Sequence, residues 1–568
     1  MKLRARHCVF VATLIVASAA CSSSGLPPPE AAASTSTPTT QTESSPTTSE
    51  SSTTVEATTG STEVATTPFV SESADGTIVV KVGGTPRAFN PLLLGTSAPA
   101  WIGSDKLGDA QFQQRIRDLG TTLVRMPGGS WSSSYDWLAC ENRDGDDCQY
   151  LPAARPSDYV GFLAATGVAG MWTINFNDTA QKAAALVAFF NGTVDDSRVI
   201  GVDRDGVDWG TVGEWAALRA AHGHPDPQPV EYWEIGNEVF GAKPDGAPGC
   251  SSFGWEDVWT CDGDEYVHGD RQHDGYLQFR AAMRAVDSTI SVGAVGIGGD
   301  QDQWGHFGAK VIVGAGDAID FYIVHDYGFY ERPTAAFALA RPVRWFPDVI
   351  RTARVFLDAK ISDRTVPIAV TEYNLFTRAN IDTTGMMSQA INALYIADYI
   401  GQMAEVGVTI ANQWNLVNGT VGSEGDYGLL NPQTSNPMPQ FYGLALWQLF
   451  GDQMLPIATG FDPQTTLSAY AGRRTDGTIT LLVINKSNVA QNASIDLDGS
   501  TGTYVATADV VSADALTSTS IVYNGSRIQP SDLASVPSLD LGPVDEQTMM
   551  HSFEPYSISL LVLSPTGA

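Results

Sequence analysis

The sequence predicts an α/β chain: a (β/α)8 TIM barrel with a C-terminal β-sandwich domain. Three observations predict it. Between Phe89 and Phe450, eight short apolar or β-branched segments alternate with segments of helical periodicity. A doubly wound open sheet is the rival, but it leaves eight units and the missing Gly-rich phosphate loop without a reason. From about residue 457 the helical pattern stops, and short strand-like runs separated by turn residues take over.

The elements follow in order. Lys2, Arg4 and Arg6 precede an apolar run at 9–16, interrupted only by Thr13, and then small residues up to Cys21. The run is too short to span a bilayer and has the layout of an export signal. Ser18-Ala19-Ala20-Cys21 resembles a bacterial lipoprotein cleavage box, although that box usually has Leu where Ser18 stands. Residues 1–21 are therefore expected to be a lipoprotein-type signal peptide. Cys21 would carry the lipid and hold the chain at the extracytoplasmic cell surface, anchored to the membrane. Ordinary secretion is the alternative. Residues 22–68 are rich in Ser, Thr, Pro and Glu and have too few large apolar groups to offset chain entropy, so they read as a disordered linker.

Residues 69–90 contain the β-branched run 77–82, expected to join the sandwich because no helix separates it from the barrel. The barrel is assigned to 91–452. Its strands are expected at 91–95, 121–126, 170–175, 230–235, 289–295, 321–324, 366–371 and 410–414. Helices are expected at 110–119, 156–165, 180–191, 214–221, 276–286, in a long stretch ending at 358, at 386–406 and at 441–450. The sandwich is assigned to 453–568, with strands at 479–484, 492–497, 504–511 and 558–563. It is expected to brace the barrel, with carbohydrate binding as the alternative.

Of 568 residues, 43% are hydrophobic and 9% aromatic, enough for a large core. The formal net charge of −31 repels phosphate backbones, which argues against a nucleic-acid partner. Cys8 falls in the signal segment. Cys140 with Cys148, and Cys250 with Cys261, bracket short segments and read as two disulfides in an oxidising compartment. Metal binding is the alternative, but neither pair has CxxC spacing.

In a barrel the chemistry sits beyond the C-terminal strand ends. The fourth strand ends in Gly236-Asn237-Glu238 and the seventh in Glu372-Tyr373-Asn374. Two carboxyl groups facing each other across the mouth are what glycosidic cleavage needs: one acid to protonate the leaving oxygen and one carboxylate at the anomeric carbon. Each glutamate taken alone reads as a solvated loop residue; the regular eight-unit pattern gives the pair its weight. No His/Asp/Cys ligand cluster is legible, so neither metal nor other cofactor is expected.

At these residues the chain resembles the clan A retaining glycoside hydrolases, most closely the family 51 α-L-arabinofuranosidases, over roughly residues 77–568. The resemblance lies in Trp-Glu-Ile-Gly-Asn-Glu at 233–238, Thr-Glu-Tyr-Asn-Leu-Phe at 371–376, Arg-Met-Pro-Gly-Gly at 125–129 followed by Tyr-Asp-Trp at 135–137, Asn175, and His325 with Tyr327. It implies double displacement on an oligo- or polysaccharide, with Glu238 as acid/base and Glu372 as nucleophile. Asn237 would bind the hydroxyl next to the anomeric carbon; a turn cap is its alternative. Arg125 would orient the nucleophile, with a structural ion pair as its alternative. Asn175, His325 and Tyr327 would line the site, with a satisfied core histidine as the alternative for His325, and Trp414 would stack on sugar or pack the barrel. The chain departs from the family in having Ser130 where Asn is usual after Pro-Gly-Gly. It also has no carboxylate in 95–101, where a sugar-contacting Glu is common. Both departures bear on sugar recognition. An endo-glucanase, xylosidase or glucuronidase activity, or a non-catalytic glycan-binding surface lipoprotein, are the other readings.

Overall fold

In a computed structural model, eight parallel strands close into a barrel: β1 (Gly95–Ser97), β2 (Leu123–Met126), β3 (Ala169–Ile174), β4 (Tyr232–Ile235), β5 (Ser291–Val295), β6 (Phe321–Phe329), β7 (Ile368–Phe376) and β8 (Ile410–Gln413). Each strand pairs with the next, and β8 closes on β1 through Asn412 opposite Gly95 and Gln413 opposite Thr96. The structure describes residues 70–72, 76–143, 153–242, 254–418, 426–544 and 547–566. The lipid site expected at Cys21, the linker, Cys148 and Cys250 lie outside the described residues. No helix among the described residues is long and apolar enough to cross a membrane.

The first strand lies later than the sequence predicts. Residues 91–94 form a 3-10 turn, because the Asn90 side chain accepts from the Leu92 N–H and Pro91 fixes φ at the first helical position. Pairing begins only at Gly95, where a Cβ would stand 2.2 Å from the Ala411 carbonyl oxygen of β8, so only glycine allows that approach. The stretch ending at 358 is two helices, Ala335–Arg344 and Phe346–Lys360, and Pro347 sits in the first turn of the second. Residues 386–406 likewise divide into a 3-10 turn, Met386–Ser388, and a helix, Ala390–Glu405, across an extended Gln389. The last barrel helix starts at Pro439 and ends as a 3-10 turn at Leu446–Leu449. Gln303–Ala315, after β5, is a helical segment the sequence reading omitted, with a left-handed turn at 304–306 before the right-handed helix.

Inside the barrel, Leu123, Met171, Phe321, Ile323, Ala369 and Ile410 pack into one apolar cluster, with Tyr232 against it. Strand side chains alternate with period two. The residues two positions on from Leu123, Tyr232 and Ile323 are Arg125, Glu234 and His325, so the layer above the apolar floor is ionisable.

Beyond the barrel, two sheets enclose a second apolar core. Thr77–Lys81 pairs with Ile457–Thr459 and Gln491–Asp498 in a five-stranded sheet. Ile479–Asn485 is paired on both sides, by Leu467–Arg473 and Ser557–Pro565, in the larger sheet. The seam with the barrel holds a buried ion pair: Lys486 donates to Asp398 of the helix Ala390–Glu405 at 2.6 Å, and the Tyr470 hydroxyl donates to the other oxygen at 2.7 Å.

Candidate active site

Glu238 sits at the turn after β4. Gly236 precedes it at φ 82°, and Glu238 itself adopts φ 37°, ψ 41°, a left-handed conformation uncommon for a residue with a side chain. Such strain gathers where surrounding contacts over-determine it. Here the contacts are a hydrogen bond between His325 Nδ1 and Glu238 Oε1 at 2.9 Å and one from the Trp255 indole to Oε2 at 2.6 Å.

Glu372 is aimed by an irregularity in β7. Its register with β6 shifts between Val370 and Glu372, and its register with β8 between Val370 and Tyr373. Such an interruption re-aims side chains that strict alternation would send elsewhere. Arg125 Nη1 donates to Glu372 Oε1 at 2.8 Å and the Tyr327 hydroxyl to Oε2 at 2.7 Å. One ligand atom each from Glu238, His325 and Glu372 lies within 4.8 Å of the others, so the two carboxylates are mutual neighbours.

Arg125 is completely buried and joins the elements. Its Nε donates to Glu234 Oε1 at 3.0 Å, its Nη2 reaches both Glu234 Oε1 and, at 2.7 Å, Asn237 Oδ1, and its Nη1 holds Glu372. The planar fork suits this multiple engagement, as an ammonium would not. Asn237 spends its Nδ2 on Glu256 Oε1 at 2.8 Å, and Glu256 also accepts from Ser130 at 2.6 Å and Ser133 at 3.0 Å.

The protonation states follow from these contacts. Burial would raise the Glu238 pKa, but the His325 hydrogen bond and charge outweigh it and hold it below the ordinary value. His325 is raised: burial opposes its charge, while Glu372 and Glu238 favour it. Glu256 is pushed up to about 7, first by burial and then by the Glu238 charge, against the hydrogen bonds it accepts. Burial and the neighbouring Glu372 also drive the Tyr327 hydroxyl well above its usual pKa, which leaves it a donor.

The structure thus brings Glu238, Glu372, Asn237, Arg125, His325 and Tyr327 into one network. His325 completes it by placing Nε2 3.0 Å from the Thr371 hydroxyl. Trp414 borders the network: its ring meets Trp101 edge-on at 5.7 Å and fills the space above Gly129, where a Cβ would stand 2.4 Å from it. Asn175 is not joined to the carboxylates; its side chain accepts from the Asn177 N–H at 3.0 Å and closes a turn. Among the described residues, Glu238, His325 and Glu372 are the set that could gather round a metal ion. Each of their candidate ligand atoms already has a hydrogen-bond partner within the network. Cys140 and Cys261 are both buried.

Sequence reasoning missed Glu234, Glu256 and Trp255. For Glu234 a signal existed: an acid inside the apolar strand at 232–235 needs a buried cation, and Arg125 stands equally isolated in Leu-Val-Arg-Met. Glu256 carries none, since its partners come from two separate segments, Ser130 and Ser133 after β2 and Asn237 after β4.

No family model matches the chain. Among curated proteins, alpha-L-arabinofuranosidase C of Emericella nidulans is 23% identical over 291 residues, 46% of this chain and 49% of that protein. The intracellular exo-alpha-(1->5)-L-arabinofuranosidases of Halalkalibacterium halodurans and Bifidobacterium longum are 25% and 27% identical over 275 and 296 residues, 47% and 48% of this chain. The chain spans about half the length of these relatives, 49% and 45% of the latter two. Among solved structures, the alpha-L-arabinofuranosidase of Thermotoga maritima in its arabinose complex superposes with a TM-score of 0.64 at 18% identity, over 86% of this chain and 99% of that one. A family 44 xyloglucanase of Paenibacillus polymyxa gives 0.55 at 15% identity, over 86% and 99% of the two chains. These likenesses establish the barrel with its sandwich, and the curated matches are to arabinofuranosidases.

Proposed function

We propose that the chain is a retaining glycoside hydrolase acting on α-L-arabinofuranosides by double displacement. The observation that carries the mechanism is the separation of the two carboxylates, with oxygens of Glu238 and Glu372 within 4.8 Å. Retaining enzymes hold their carboxyl groups roughly 5–5.5 Å apart, whereas inverting ones leave ~6.5–9.5 Å for a water. Their environments divide the labour. Glu372, held in place by hydrogen bonds from Arg125 and Tyr327, attacks the anomeric carbon while the glycosidic C–O bond breaks. Glu238 gives its proton to the leaving oxygen. His325 Nδ1, 2.9 Å from Glu238 Oε1, is placed to exchange that proton with it. Glu238 then takes a proton from water as that water releases the sugar from Glu372. Asn237, with its Oδ1 fixed by Arg125 and one amide hydrogen by Glu256, has a second amide hydrogen for the neighbouring sugar hydroxyl.

The sugar assignment rests on the curated relatives and is independent of the mechanism. The motifs at Cys21 and at the four remaining cysteines support export, lipid anchoring and disulfides at 140–148 and 250–261. The test is hydrolysis of 4-nitrophenyl α-L-arabinofuranoside by Glu238→Ala and Glu372→Ala. Both variants should lose turnover. Azide should restore product to Glu372→Ala as the inverted glycosyl azide and to Glu238→Ala as the retained one. Full activity in either variant refutes the assignment.

A further inference from the structure

Beside Glu238 stands an aromatic corner that the bond-breaking chemistry does not use. Trp255 and Trp304 are 39% and 37% exposed, and their rings meet nearly at right angles, 80° apart with centroids at 5.3 Å. Phe240 packs beneath both, at 6.0 and 5.6 Å, and rests in turn on the fully buried Phe307 at 5.9 Å. The corner is built rather than incidental. A Cβ on Gly241 would stand 2.5 Å from the Trp255 ring, so the indole lies flat on the turn that follows Glu238. Trp304, Gly305 and His306 are held at φ 53°, 65° and 64°, a left-handed run that costs conformational energy and carries the Trp304 ring on the rim.

We infer that Trp255 and Trp304 form a leaving-group subsite that binds a neutral sugar ring of an oligosaccharide chain; this rests on Glu238 being the acid/base residue. The Trp255 indole donates to Glu238 Oε2 at 2.6 Å. The atom Glu238 protonates is the oxygen of the departing group, so the ring bonded to Glu238 lies on that group's side. A sugar ring presents C–H groups on its faces and hydroxyls at its edge. Two part-exposed indoles at a right angle offer apolar surface to the former and leave the latter in water. Asp302, two residues before Trp304 and 77% exposed, adds a carboxylate to this rim, which disfavours an anionic sugar. The subsite therefore favours a neutral carbohydrate leaving group over a small alcohol.

The experiment compares α-1,5-L-arabinotriose with methyl α-L-arabinofuranoside, whose leaving group is one carbon and cannot reach Trp304. In Trp304→Ala the ratio of kcat/KM for the triose to that for the methyl glycoside should fall at least tenfold, and Trp304→Phe should restore most of it. An unchanged ratio overturns the subsite. Should the native chain hydrolyse neither compound, the arabinofuranosidase reading fails on its own. The subsite is then decided by tryptophan-fluorescence titration of Glu372→Gln, with and without Trp304→Ala, using arabino-, xylo- and cello-hexaose. Binding of one of them that Trp304→Ala weakens tenfold supports the subsite; equal binding in both chains, or none, overturns it.

Discussion

Replacing Glu256 by glutamine removes one ionisation from the rim of the site while keeping the shape of the side chain. Glu256 is fully buried, accepts three hydrogen bonds and titrates at about 7 instead of the ordinary 4.5. Burial and the Glu238 charge both disfavour its ionised form in the folded chain. The sign follows from proton counts. Between pH 4.5 and about 7 the unfolded chain has released this proton and the folded chain has kept it, so stability falls as pH rises through that window. Below 4.5 the group contributes nothing; above about 7 its cost is complete, about 3 kcal/mol by the equivalence of about 1.4 kcal/mol per pKa unit. Glu256→Gln lacks this dependence. Urea unfolding of both chains from pH 4.5 to 8 should show the variant gaining on the native chain by about 3 kcal/mol across the window, whatever constant offset the amide introduces. Infrared difference titration of the native chain should show a protonated carboxyl lost near pH 7 that the variant lacks. Parallel stability curves between pH 5 and 7 would mean that Glu256 is ionised throughout, and the burial argument for it would fail.

Arg125→Lys replaces a fork engaging Glu234, Glu372 and Asn237 with a point charge that cannot hold all three; losing two charged hydrogen bonds, at ~1.5–3 kcal/mol each, should lower kcat/KM by at least about 100-fold, and a drop under tenfold in steady-state assays refutes its orienting role. Tyr327→Phe deletes the 2.7 Å hydrogen bond to Glu372 and should cost about 10- to 100-fold in kcat/KM with little change in thermal unfolding; unaltered kinetics count against it. Lys486→Met strands Asp398 at the seam between barrel and sandwich, and should destabilise the chain by about 3–5 kcal/mol in chemical unfolding while kcat at low temperature is kept; a neutral result means the seam is held by apolar contacts instead.

The alternation of strands and helices is legible because it is written in local periods, two for strands and 3.6 for helices. The first strand was misplaced where a local signal of another kind intervenes: Pro91 and the Asn90 cap bend 91–94 into a turn before pairing can start. The paired glutamates were legible because each closes an apolar run. Glu256 was not, because what makes it part of the site is the meeting of Ser130, Ser133 and Asn237 from separate loops. Ser130, a departure from the family pattern in the sequence, becomes intelligible only there, as a donor to that carboxyl. Asn175 stands at a strand end as the pattern suggested, and the contact its side chain makes there is within its own turn, accepting from the Asn177 N–H.

Four glutamates lie around this barrel mouth, and their environments give them different work. Glu234, buried against Arg125, fixes the guanidinium that in turn faces Glu372. Glu372 receives a guanidinium and a phenol, donors that aim it. Glu238 receives an indole and an imidazole; the imidazole can return a proton, which a guanidinium cannot. Glu256 meets only neutral donors, and burial with the Glu238 charge pushes it up to about 7. In the proposed double displacement, the division between attacking and protonating carboxyl comes from which partner each oxygen faces. Arg125 is the pivot: it stands in β2, holds Glu234 and Asn237 from the β4 side and Glu372 from β7, and so ties the spacing of the two reacting groups to the closure of the barrel itself.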